Sequence, residues 1–194
     1  MSRPLLGAAP LHDPLSSVSP PGQVSTGFAD FLDGDDALNR GLECYEGGNE
    51  RDAAMYFKRA SEMGNPRGLF WYGRCLYEGR GVIQNTKEAM AYFQQAAELR
   101  DAFGMYGVGL CYFEGRSVIQ NFDFALQYFR ESARLRCDEG CLAYAKCLFE
   151  GIGVQQNSEE AALFFKKAVD LVTQQLYFGM EDAYLKVVGS KKIL

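Results

Sequence analysis

Along most of the chain, small and aromatic residues recur at spacings of three and four, separated by polar stretches rich in Gly and Asn. Ala53, Phe57 and Ala60 stand four and three residues apart, which places them on one face of a helix. The trio returns as Ala89, Phe93, Ala96, then Ala125, Phe129, Ser132, then Ala161, Phe165, Ala168, a period of 36 residues. Each Phe follows another aromatic: Tyr56, Tyr92, Tyr128 and Phe164. Small residues on such a face let a neighbouring helix come close, and the Phe fills the remaining space.

A second helix precedes each of the last three trios. Gly73, Gly109 and Ala145 form a small-residue column, followed three positions later by Leu76, Tyr112 and Leu148. The next columns are Tyr77, Phe113 and Phe149, then Glu78, Glu114 and Glu150, then Gly79, Gly115 and Gly151. The last of these ends the helix, since glycine accepts a left-handed backbone without a Cβ clash. Val82, Val118 and Val154 then return to the core, and Asn85, Asn121 and Asn157 cap the helix that follows. Glu88 and Glu160, three residues after their caps, suggest capping boxes. Gly79 and Gly81 invite a phosphate-loop reading, but no strand precedes them and no Lys-Ser/Thr follows. A turn that returns every 36 residues belongs to a stacking unit. From Gly41 to Ala53 the interval is four residues shorter than from Gly73 to Ala89, so the first unit has a shorter loop.

The stretch "LFWYGRCLYEGRGVIQNTKEAMAYFQQAAELRDA" and its two in-phase copies, residues 66–173, resemble Sel-one-like repeats. Residues 31–65, with Gly41, Gly48, Ala53, Phe57 and Ala60, resemble a tetratricopeptide repeat. Departures are Ser117 at a turn glycine, Ala145 at a helix glycine, and Tyr72 and Val108 at a leucine place. The resemblance implies an all-α fold, a right-handed α-solenoid of antiparallel helix pairs, and an adaptor that holds a partner's peptide or helix in its concave groove. Secreted, cysteine-rich bacterial members staple each repeat with cysteines eight apart. Cys141 fits the second such position, but Ala133 occupies the first. The missing staple points to a reduced, cytoplasmic chain, with organelle import as the alternative.

Residues 1–30 are rich in Pro and Ser and read as a flexible arm; residues 174–194 read as a capping helix and tail, with Leu176, Met180, Tyr184 and Val187 at helical spacing. Asp33, Asp35 and Asp36 suit the N-terminus of the first helix. A formal charge of −5 and no basic cluster beyond Lys186, Lys191 and Lys192 argue against nucleic acid. No uninterrupted apolar run is long enough to span a membrane. Pro4, Pro10, His12 and Asp13 break any secretory signal core.

Cys75, Cys111 and Cys147 recur with the repeat and read as small buried hydrophobes, as do Cys44, Cys137 and Cys141. His12, the only histidine, lies in the arm, so Cys–His catalysis and a zinc site are disfavoured. Neither a catalytic residue nor a cofactor site is expected.

The first helix of each pair lines the concave side, which assigns groove positions. These are Leu42 and Tyr45; Phe70, Arg74, Tyr77 and Glu78; Phe103, Tyr106, Leu110 and Phe113; and Leu142, Lys146 and Phe149. Trp71 reads as core. The column Tyr45, Tyr77, Phe113, Phe149 has two readings: a ladder of anchors for a partner, or packing against the next repeat. The Glu column likewise reads as a solvated helix end or as a site for basic ligands. Function divides between an adaptor, stable as a monomer or within a complex, and a structural subunit that docks flat on an obligate partner or on itself.

Overall fold

Local capping sets the helix limits. The computed structural model describes residues 33–190, with side chains through residue 177. The arm at 1–30, Lys191 and Lys192 lie outside it, as do the side chains of Met180, Tyr184, Lys186 and Val187. The helices are α1 Gly34–Glu46, α2 Glu50–Glu62, α3 Pro66–Glu78, α4 Thr86–Glu98, α5 Ala102–Glu114, α6 Phe122–Arg134, α7 Asp138–Glu150 and α8 Ser158–Ser190. Asp33 caps α1 by accepting from the Asp35 and Asp36 N–H groups at 2.9 and 2.8 Å. Asn65, Asp101 and Cys137 take the same role for α3, α5 and α7.

Asn85, Asn121 and Asn157 accept from the N–H three residues on, at 3.2, 3.0 and 3.1 Å, as their spacing predicted. The capping boxes take a modified form. The Asn85 backbone N–H already donates to the Leu76 carbonyl at 2.8 Å, and that of Asn157 to Leu148 at 2.9 Å. Glu88 and Glu160 instead accept from the Asn side-chain amides, at 2.9 and 3.1 Å. Each cap therefore ties the second helix to the end of the first. Gly79, Gly115 and Gly151 end α3, α5 and α7 at φ of 77, 68 and 70°.

Two close approaches build the stack. Within a pair, the Phe of the second helix lies on a glycine of the first: a Cβ on Gly41, Gly73 or Gly109 would come within 2.5, 2.9 or 2.7 Å of the Phe57, Phe93 or Phe129 ring. Between pairs, Gly68 and Gly104 lie against Ala60 and Ala96, where an added Cβ would stand 2.5 Å from the alanine methyl. Gly140 meets Ser132, whose buried hydroxyl donates to the Ala102 carbonyl at 2.7 Å. The column Gly68, Gly104, Gly140 has the same period as the others, and the hydrophobic pattern alone does not show it.

Each helix packs on its sequence neighbour, so the described residues form an all-α solenoid of consecutive helix pairs. The first helices also touch directly, α1 on α3, α3 on α5 and α5 on α7, which puts them on the inner side of the curve. The α1–α2 loop, Gly47–Asn49, is four residues shorter than the α3–α4 loop, Gly79–Asn85.

One expectation is corrected. The terminal helix is not separate, because α8 runs unbroken from Ser158 to Ser190. The earlier second helices stop where Gly64, Arg100 and Arg136 take φ of 75, 61 and 65°. Val172 holds that place in the fourth unit. A β-branched side chain is strongly disfavoured in the left-handed region, so the helix continues.

Gly104→Ala is expected to lower stability by about 1–3 kcal/mol through overpacking, although Gly→Ala in an exposed helix stabilises by roughly 1 kcal/mol. Urea unfolding followed by circular dichroism measures it, and an unchanged or raised midpoint would show that the helices separate freely. Phe93→Ala should cost about 3–5 kcal/mol in the same assay.

Candidate partner-binding groove

The aromatic column changes character along the array. Tyr45 is half-buried; the Arg80 guanidinium donates to its hydroxyl at 2.5 Å and lies 5.6 Å from its ring centre. Tyr77 is only 4% exposed; its hydroxyl donates to Glu114 at 2.8 Å, and Arg116 lies 5.1 Å from its ring centre. Phe113 is half-buried against Phe122 and Phe129. Phe149 is 53% exposed. The ring of one unit is thus covered by the turn arginine of the next in the first two steps, whereas the third step has Ile152 in that place.

The other assigned groove residues divide. Phe70 is buried in the core, 5.4 Å from Phe103 and 5.8 Å from Phe93 between ring centres. Phe70, Phe103 and Tyr77 therefore belong to the interior, because the first helix packs against its partner, the preceding pair and the next first helix at once. Trp71 is half-buried and stacks on Phe57 at 5.3 Å. Arg74 lies 5.3 Å from the Trp71 ring centre, donates to Glu78 at 2.9 Å and reaches Glu139 at 3.8 Å.

Tyr106, Phe113 and Lys146 do come together. With Leu110, Leu142 and Ala143 they line a cleft of about 310 Å³ between α5 and α7, floored by Phe129 and Cys147 and bordered by Glu114 and Glu139. Leu142 is 44% exposed there. An apolar floor with charged edges suits a large side chain presented by another molecule.

Electrostatics distinguish the carboxylates. Glu78 pairs with Arg80 at 2.8 Å, and Glu114 with Arg116 at 2.9 Å. Burial, together with a hydrogen bond and repulsion from Asp138, lifts the Glu139 carboxyl to about 7 against the more distant pull of Arg74. Burial pushes the Cys75, Cys111 and Cys137 thiols to about 12 and Cys147 to about 11, leaving them protonated. Such thiols neither attack substrates nor bind metals readily. Among the described residues, Cys137, Asp138 and Glu139 place ligand atoms within 4.8 Å of one another. Cys137 there caps α7, its sulfur accepting from the Gly140 N–H at 3.3 Å. Cys141 donates to the Ala133 carbonyl at 3.7 Å, where a staple would need a second cysteine.

Sequence reasoning missed Glu139 and the arginines over the tyrosines. Arg80 and Arg116 carry a readable signal, since they recur at the repeat period directly after the turn glycine. The partial burial of Glu139 carries none, because it depends on Tyr106 and Arg74 from earlier units. No helix of the described residues is long and apolar enough to cross a membrane.

A carboxyl raised by burial stabilises the fold below its unfolded value, and that contribution is lost as pH rises through about 7. Glu139→Gln removes the titration. Its melting temperature relative to the unaltered chain should therefore increase between about pH 5 and about pH 8, as scanning calorimetry at both values would show. An identical difference at both would contradict the burial of the charge.

The Sel1 repeat family model matches residues 33–65, 66–101, 102–137 and 138–171, including the short-loop first unit that resembled a tetratricopeptide repeat. No curated protein matches by sequence. Among solved structures, the chain is similar to a Sel1 repeat protein from Oxalobacter formigenes, with TM-score 0.61 and 26% identity over 72% of this chain and 55% of that one. It is also similar to c5321, a protective antigen of uropathogenic Escherichia coli strains displaying an SLR fold. There the TM-score is 0.61, with 25% identity over 73% of this chain and 31% of that one. The chain thus spans about half of the first structure's length and a third of the second's. With its repeat matched in all four helix pairs over residues 33–171, this chain belongs to the Sel1 repeat family.

Proposed function

We propose that the chain is a non-catalytic protein-binding adaptor of a reducing compartment such as the cytoplasm, and that the inner face of α5 and α7 holds a partner's peptide or helix. Sel1 repeats are helical scaffolds that typically mediate protein–protein interaction. The observation that carries the reading is the cleft between Leu110, Phe113 and Leu142, with Phe149 exposed on the same helix, α7. Of the residues assigned from sequence, Tyr106, Phe113, Lys146 and Phe149 supply the contact surface. Arg74 and Glu78 form its rim, and Tyr45 extends it toward the first unit. Phe70 and Tyr77 are core residues of α3 and supply none of it.

A second reading, flat docking on an obligate partner or a second copy, draws support from α8. Phe165 is 37% exposed where Phe57, Phe93 and Phe129 are buried, and Val169, Val172 and Leu176 are exposed on the same helix.

Leu142→Glu and Phe149→Ala alter exposed positions and should leave the melting temperature within about 2 °C. Affinity purification with mass spectrometry should lose a discrete set of partners with both variants, while light scattering shows a monomer. Partners retained by both, or a dimer dissociated by Val169→Glu, would favour the second reading.

A further inference from the structure

The chain's own arginines occupy the groove edge in a repeated arrangement. In one step Arg80 sits between the Tyr45 ring and the Glu78 carboxylate; in the next, Arg116 sits between Tyr77 and Glu114. Each guanidinium thus has an aromatic of one unit on one side and the glutamate of the following unit on the other. In the third step the aromatic is Phe113 and the glutamate Glu150, but Ile152 replaces the arginine. Glu150 has lost both internal partners, because Phe113 also lacks the hydroxyl that Tyr77 gives to Glu114. Among the described residues neither Glu150 nor Lys146 enters an ion pair. Lys146 precedes Glu150 by four positions, the weaker order for a helical pair, so an incoming guanidinium competes readily.

We propose that this end of the groove recognises a partner segment in which a large apolar side chain stands beside an arginine. The inference rests on the groove reading above. The apolar side chain enters the cleft between Leu110, Phe113 and Leu142. The guanidinium pairs with Glu150 beside Phe113, the carboxylate and ring that correspond to those Arg80 and Arg116 join. Arginine fits better than lysine because a planar guanidinium can stack on a ring while bonding a carboxylate.

A random dodecapeptide display library selected on the full chain tests this. Enriched peptides should carry an apolar residue next to arginine. Their Kd, read by fluorescence anisotropy, should rise about fivefold with Glu150→Gln. Ile152→Arg should weaken them as much, since it supplies the missing guanidinium from within and occurs at a position where two other units already hold arginine. Should that variant melt early, Glu150→Gln at an exposed position still carries the test. Peptides without arginine, or affinities unmoved by Glu150→Gln while Leu142→Glu abolishes binding, would overturn this inference and leave the groove reading intact. Binding indifferent to Leu142→Glu, or no enrichment at all, would overturn both.

Discussion

The close approach of backbone to side chain at glycine governs this structure. Phe93 can lie flat on Gly73, and Gly104 on Ala96, only because no Cβ intervenes. Each contact fixes the height of one helix against the next, and repetition at 36 residues makes every pair settle in the same relation to its neighbour. The asparagine caps enforce that register from the loops, each N–H bonded back to the end of the preceding helix. Packing of this kind stabilises by nearest-neighbour interfaces, so each unit depends on its neighbours.

The proposed binding surfaces lie where the repetition lapses. Arg80 and Arg116 close the inner edge in the first steps by joining a ring to a carboxylate across a repeat boundary. Ile152 breaks the series at Phe113, and on α7 Leu142 and Phe149 are open to solvent. A second lapse lies at Val172, where the turn is missing and α8 continues with its apolar face exposed. Both lapses fall in the last of the four matched units, so the proposed binding surfaces lie together there.

Much of this was legible in the sequence because the same physics is written several times over. Three copies of Glu-Gly followed by Val and Asn identify a helix end, a turn and a cap with little ambiguity. Sidedness was harder to read. A first helix touches three other helices, so its apolar residues cover more than one face, and pattern alone does not separate Phe70 and Tyr77, which are core, from Leu142 and Phe149, which are open. The unbroken α8 was legible at Val172 once compared with Gly64, Arg100 and Arg136. The half-buried, raised carboxyl of Glu139 was not, because Arg74 approaches it from two units away.

Photocrosslinking in cells tests the central claim most directly. A benzophenone amino acid placed at position 142, on the inner face, should give discrete adducts with partner proteins. The same probe at positions 91 and 127, exposed on the outer helices, should give none. Adducts from 91 or 127 with none from 142 would place binding on the outer surface and contradict the account.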